Sequence, residues 1–438
     1  MGSTGRRLAA VTAGLLLLAP GCGFDPDRGT AARSQVEAPD PVEPDEDPAD
    51  EGGYDPTVDD EQQLRELMSA RAQAVDDRDL RAFRATVDPQ QPKLMKSQTV
   101  LFRNMVQLPL VSLRYQVATT YLVPAKVPGK DPVLHPQVVE QLQIVGTMTR
   151  PVSNALDLTF VKRGDQWLVG AERPPGAKGS VEDPQERPWF GVPISVRHEG
   201  QLTVLVDAAI ADELPGLVGA VRDGIRRDAD ILGIGHDEQV LVDATSNGEA
   251  EKFGAGVKEE VGAITFAIVS TDLDGTARDI AGVAIKINPD HVADLVDESR
   301  LLWHELTHYL LFDHIGSSPV WLAEGVAAWS EYQPVELAGL VIPDELFDRL
   351  DRREHKLPTK GLFYGDPDEN YLIGQAAVEY LVAQGGTEKL LELMKAYDKL
   401  YQGADTDSVT PKALRRVYDL SLREVTEGAW DHLAQLHH

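Results

Sequence analysis

Residues 299–311 read Ser299-Arg300-Leu301-Leu302-Trp303-His304-Glu305-Leu306-Thr307-His308-Tyr309-Leu310-Leu311, with the apolar spacing of an amphipathic helix. Residues four apart on a helix share one face and lie one turn apart in height. His304 and His308 can therefore direct ring nitrogens at a single Zn²⁺ ion about 2.0–2.1 Å away. Glu305 projects beside them, where it can take a proton from a water molecule on the metal. The segment predicts a helix with two metal ligands and a general base.

The motif HExxH by itself leaves an accidental helix open, because it arises by chance in roughly one or two chains of this composition per hundred. A second helical segment follows it: Trp321-Leu322-Ala323-Glu324-Gly325-Val326-Ala327-Ala328-Trp329-Ser330-Glu331. Together the two segments resemble the gluzincin family of zinc metallopeptidases, whose third-ligand helix is typically written Trp-Leu-x-Glu-Gly-x-Ala. The resemblance implies a peptidase with Zn²⁺ as its cofactor.

In that resemblance Glu324 takes the third ligand position and leaves a fourth position for water, as a catalytic zinc site requires. Glu331 lies seven residues further along, on the same face of the helix. It is either a hydrogen-bond acceptor for a ligand histidine or an ordinary surface glutamate. His314, between the two helices, is interpreted as a loop residue rather than a ligand.

The resemblance extends over residues 190–438. Tyr371-Leu372-Ile373-Gly374 is similar to the Tyr-x-x-Gly helix start of gluzincin aminopeptidases, which makes Tyr371 the candidate donor to the oxyanion and Tyr364 the fallback. A core or surface tyrosine is the alternative. Residues 284–288 occupy the place of the edge strand that pairs with an extended peptide. No Gly-x-Met-x-Asn segment precedes HExxH, so an endopeptidase is favoured over an aminopeptidase.

The region before this domain, residues 59–175, predicts helices followed by a strand meander. Leu156, Leu158 and Phe160 alternate before Arg163-Gly164-Asp165, which indicates a hairpin. The order of elements resembles the nuclear-transport-factor-like (SnoaL-like) α+β cone. Asp76 and Asp77 are interpreted as helix surface, so this domain is expected to be a spacer or recognition module.

Helices before strands in the first region and strands before helices in the second predict an α+β fold. Its expected parts are the cone domain over 59–175, a linker over 176–189, and a metallopeptidase domain over 190–438 with a small mixed sheet followed by helices. Residues 23–58 are rich in Asp, Glu and Pro and predict a disordered acidic tether.

The first 22 residues indicate export. Arg6 and Arg7 precede a short apolar run that ends at Ala19-Pro20-Gly21-Cys22, as in a secretory signal. The sequence before Cys22 resembles a bacterial lipobox, although Ala19 stands where leucine is usual. That resemblance implies a lipoprotein acylated at Cys22 on the outer face of the cell membrane, held there by the lipid alone. Ordinary signal cleavage beside an incidental cysteine is the alternative.

Charge excludes one class of partner. The chain has 42 Lys and Arg against 71 Asp and Glu, a net charge of −29, whereas nucleic-acid binding needs a basic face. The expected partner is a protein or peptide substrate. Two rivals stay open at this point: a binding lipoprotein whose cone captures a protein or cell-wall partner beside a degenerate zinc domain, and a zinc hydrolase for a non-peptide bond.

Overall fold

The structure is a computed structural model of the chain. It describes residues 54, 56–124, 131–173, 187–247, 262–271, 277–335, 339, 342–400 and 405–436. Within these ranges the fold is mixed α+β with two sheets, in agreement with the predicted class. The signal segment with Cys22 and nearly all of the predicted tether lie outside the described residues. No described helix is both long and apolar enough to cross a membrane.

Residues 54–173 form what we call the N-terminal unit. Its elements are α1 (Val58–Asp76), α2 (Leu80–Ala85), α3 (Pro92–Met105), β1 (Leu110–Pro124), β2 (Val133–Ile144), β3 (Val152–Arg163) and β4 (Gln166–Arg173). The strands pair in chain order as an antiparallel meander, and α1 packs on the sheet through Leu64 and Met68.

Local sequence explains two boundaries of this unit. The Thr57 hydroxyl accepts from the backbone N–H of Asp60 while the Asp60 carboxylate accepts from that of Thr57, a capping box that starts α1. Gly164 has φ +61° in the β3–β4 hairpin, a conformation that costs glycine little.

Residues 187–436 form the C-terminal unit. Its elements are β5 (Ile194–Glu199), β6 (Leu202–Asp207), α4 (Leu214–Leu232), β7 (Val240–Ala244), β8 (Ala263–Thr271), β9 (Ala277–Ile287), α5 (Val292–Asp297), α6 (Arg300–Leu310), α7 (Phe312–Ile315), α8 (Val320–Tyr332), α9 (Asp344–Leu350), α10 (Pro367–Leu400), α11 (Thr406–Tyr418) and α12 (Leu422–Leu436). The sheet order is β5-β6-β7-β9-β8, in which β6, β7 and β9 are parallel and the two outer strands antiparallel.

The strand order corrects one expectation. Residues 284–288 were expected at the sheet edge, but residues 284–287 belong to β9, which pairs with β7 on one side and β8 on the other. The β8–β9 hairpin inserts its second strand against β7, so its first strand is left outermost. The edge strand on this side of the sheet is therefore β8, and α6 packs against it.

The two faces of this sheet are covered by different parts of the chain. On one face α4 and α6 pack through Val221, Ile225, Leu302 and Leu306. On the other face the N-terminal unit contributes to an apolar core that includes Leu205, Leu241 and Ile268 together with Phe102 and Leu142. The sheet is thus buried on both faces, as parallel strands require. Of the predicted linker 176–189, residues 187–189 are described, and they are buried.

Candidate metal centre

The histidine helix α6 and the buried helix α8 meet side by side. Residues 321–331 of α8 are all buried, so the charged Glu324 lies in an apolar helix pair and needs partners there. Close contact with α10 seats α8: a Cβ on Gly325 would lie 2.5 Å from the carbonyl oxygen of Gly374. This approach holds Glu324 against α6 rather than against solvent.

Three donor atoms converge between the helices. His304 Nε2 lies 3.3 Å from Glu324 Oε2 and 3.2 Å from His308 Nε2, and His308 Nε2 lies 3.4 Å from Glu324 Oε2. A tetrahedral zinc ion with bonds of about 2.0–2.1 Å holds its ligand atoms about 3.3–3.4 Å apart. The triangle therefore has the dimensions of three vertices of that tetrahedron. Two imidazole nitrogens and one carboxylate oxygen also form a donor set that catalytic zinc sites use.

The buried carboxylate of Glu324 favours a cation at this point. The exposed fractions of His304, His308 and Glu324 are 4%, 3% and 1%. Burial alone would raise the pKa of Glu324, but the adjacent His308 and His304 hold that pKa at about 2. The carboxylate is therefore ionised at neutral pH, in a place where two nitrogens face it and each other. The residues present fit a zinc ion.

Glu331 lies against the outer nitrogen of one histidine. His304 Nδ1 is 3.3 Å from Glu331 Oε2, so an N–H at Nδ1 donates to the carboxylate. That tautomer leaves the lone pair of Nε2 directed into the triangle. The structure thus places Glu331 beside His304, on the face that its seven-residue spacing from Glu324 predicted. His308 Nδ1 is buried and has no hydrogen-bond partner among the described residues.

Glu305 is fully buried and contacts the edge strand. The hydroxyl of Thr265 on β8 donates to Glu305 Oε2 at 2.7 Å and also lies 3.0 Å from the carbonyl oxygen of Glu305. This bond orients the carboxylate beside the histidine pair. Sequence reasoning missed Thr265 because no local pattern links a strand residue to a helix 40 positions later.

The two candidate tyrosines take different places at the centre. The hydroxyl of Tyr364 donates to Glu324 Oε1 at 2.9 Å, on the carboxylate oxygen outside the triangle. The ring of Tyr371 lies edge-on to His304, with centroids 5.8 Å apart. Phe363 packs between them, edge-on to both rings. Asn370 holds this turn, because its amide donates to the carbonyls of Leu362 and Phe363.

Two neighbouring residues of α4, Arg227 and Asp228, lie at the C-terminal end of α8. The guanidinium of Arg227 donates to the carbonyl oxygens of Ser330 and Gln333, both at 2.7 Å, and stacks on Trp303 of α6. A cation at a helix C-terminus satisfies its last carbonyls and complements its dipole. Burial raises the pKa of the neighbouring Asp228 to about 7. The pair was not found from the sequence, since no motif marks it.

The other singled-out residues lie away from this centre. His314 falls in the short helix α7, where its Nδ1 lies 2.7 Å from Asp398 Oδ2. Asp76 and Asp77 are exposed at the end of α1. Among the described residues the His304, His308 and Glu324 group is the candidate metal cluster.

No protein-family model matches this chain, and no curated protein matches it.

Proposed function

We propose that this chain is a zinc-dependent peptidase of the gluzincin type, with His304, His308 and Glu324 as the metal ligands. The convergence of their three donor atoms carries the proposal, because its dimensions suit zinc and its buried carboxylate needs a cation. Bound there, Zn²⁺ would polarise a substrate carbonyl. It would also lower the pKa of a water molecule, so that the water can lose a proton and attack the carbonyl near neutral pH.

The protein's own groups supply the proton transfers. Glu305 Oε1 or Oε2 accepts the proton of the attacking water and passes it to the nitrogen of the leaving amine. Thr265 orients that carboxylate, and Glu331 keeps His304 in the tautomer that presents Nε2. We assign oxyanion stabilisation to the hydroxyl of Tyr371, because its sequence resembles the Tyr-x-x-Gly helix start and its ring lies beside His304.

The position of strand β8 supports a peptide as the substrate class. β8 lies at the edge of the sheet and carries the Glu305 partner Thr265, so an extended peptide laid along it would pass the general base. Without the Gly-x-Met-x-Asn segment the chain has no counterpart of the aminopeptidase cradle, which favours endopeptidase action. We further propose export and anchoring through an acylated Cys22, on the sequence features of residues 1–22.

The substitution Glu305→Gln tests the function. The amide keeps the shape of the side chain but cannot accept a proton, so casein cleavage should fall by roughly 10²–10⁴-fold. Zinc content, measured by mass spectrometry of metals, should stay near one ion per chain. Full activity in the variant, or a wild-type protein that binds no zinc at neutral pH, would contradict the proposal. A wild-type protein that binds zinc and cleaves only non-peptide bonds would replace peptidase with another hydrolase.

A further inference from the structure

The end of the predicted linker, residues 187–189, enters the interior of the N-terminal unit. The Arg187 side chain is 2% exposed, and its Nε and one terminal nitrogen donate to the two oxygens of Glu140, both at 3.2 Å. The other terminal nitrogen donates to Glu172 at 3.0 Å. Glu140 lies on β2 and Glu172 on β4. A guanidinium from one unit is therefore bound by two carboxylates of the other.

The binding site around this guanidinium is complete. Glu140 also accepts from the indole N–H of Trp189 at 3.2 Å, and Glu172 accepts from the amide of Gln98 at 2.5 Å. Gln98 in turn accepts from Arg71. Two guanidinium groups and two carboxylates balance each other in this interior. Although burial opposes its charge, Glu140 and Glu172 hold the pKa of Arg187 above its usual value.

The backbone of the same segment is bound as well. Asn104 on α3 donates to the carbonyl oxygens of Trp189 and Val192, at 3.0 and 2.8 Å, and accepts from the N–H of Ile194 at 3.1 Å. The ring of Phe190 covers the guanidinium with its centroid 4.8 Å away. One asparagine thus binds three backbone groups of this segment.

A second group of contacts joins the N-terminal unit to the five-stranded sheet of the C-terminal unit. The N–H of Thr149 donates to the carbonyl oxygen of Ala281 on β9 at 2.7 Å. Beside it, a Cβ on Gly282 would overlap the carbonyl oxygen of Thr147, so the approach requires glycine there. The hydroxyl of Ser270 on β8 donates to the carbonyl oxygen of Pro151 at 2.9 Å. The N-terminal unit therefore contacts the strand that also carries Thr265.

We propose that the interior of the N-terminal unit is a guanidinium-binding site occupied by this chain's own Arg187. The bound Arg187 holds the N-terminal unit on the face of the five-stranded sheet opposite α4 and α6. The carboxylates of Glu140 and Glu172 are thereby closed to an external ligand. This assignment excludes the capture of a partner in that interior. The site shares no residue with the candidate metal centre, so the proposal does not depend on zinc.

The test is chemical rescue of Arg187→Ala in the full-length, chelator-treated protein. Removing one partner of a buried ion pair should lower the thermal unfolding midpoint by roughly 5–10 °C. Guanidinium chloride at low millimolar concentration should raise that midpoint, relative to the same concentration of sodium chloride, by refilling the site. Rescue should disappear in Arg187→Ala combined with Glu140→Gln.

Arg197→Ala is the matched control, since Arg197 is half exposed and pairs with Glu199 at the surface. Its midpoint should change by less than about 2 °C and should not respond to guanidinium. If Arg187→Ala does not accumulate as folded protein, Arg187→Lys provides the same comparison with a smaller loss. The proposal is overturned if the Arg187 variant has the same unfolding midpoint as the wild type. It is also overturned if guanidinium does not restore the lowered midpoint.

Discussion

Two buried clusters of charged and titratable side chains differ in what balances their charge. In the cluster of Arg187, Glu140 and Glu172, each carboxylate contacts a guanidinium of the same chain. In the cluster of His304, His308 and Glu324, the donor atoms face one another at 3.2–3.4 Å. The first cluster is complete as folded, whereas the second has the donor set of a cation site. Burial of a carboxylate therefore does not by itself indicate a catalytic or metal site. The groups that face the carboxylate distinguish such a site from a structural ion pair.

Metal removal should separate the two clusters most clearly. Zinc in about 1,000-fold excess over its dissociation constant should stabilise the wild type by about 4 kcal/mol relative to chelator-treated protein, because the ion binds only the folded chain. Glu324→Gln should lose most of that gain, since it removes a ligand. Arg187→Ala should have a lower free energy of unfolding than the wild type without zinc, and zinc should stabilise it as much as it stabilises the wild type.

Paired denaturant titrations with and without zinc measure both quantities. The comparison breaks down if zinc stabilises Glu324→Gln as much as the wild type. It also breaks down if the zinc gain disappears in Arg187→Ala, because the two clusters would then be coupled.

The tyrosines give an effect of intermediate size within the metal cluster. Tyr364→Phe removes the donor to Glu324 Oε1, so zinc affinity should fall by roughly 10–100-fold, the usual effect of losing a partner of a metal ligand. Tyr371→Phe should leave zinc affinity unchanged and lower kcat by roughly 10–10³-fold. Competition with a chelator of known affinity and steady-state kinetics at saturating zinc distinguish the two. If the two phenotypes are exchanged, Tyr364 is the oxyanion donor.

The smallest effect is expected at the edge strand. Thr265→Val keeps the shape of the side chain but removes the hydroxyl that donates to Glu305, so kcat should fall about threefold to tenfold with zinc affinity unchanged. Thr265→Ser is the control and should restore turnover, since it keeps the donor. Equal turnover in valine and wild-type proteins would show that Glu305 is positioned by its helix alone.

Prediction from the sequence succeeded where geometry is local. The i, i+4 spacing placed His304 and His308 on one face of α6. The seven-residue spacing of Glu324 and Glu331 placed both carboxylates on one face of α8, where they contact His304. It failed at residues 284–288, because hydrophobic runs specify a strand without specifying its neighbours. The alternation of β9 is the same whether it lies at an edge or between β7 and β8.

The sequence by itself determined the elements that depend on neighbouring residues: the capping box that starts α1, the turn at Gly164, and the two helices that bear the candidate ligands. Only the tertiary structure decided which distant groups meet. Arg187 finds Glu140 47 positions away, and Glu305 finds Thr265 40 positions away, through contacts that no periodicity encodes. Dihedral preferences and hydrogen bonds within a turn act over a few residues, whereas the pairing of buried charges depends on how whole units pack.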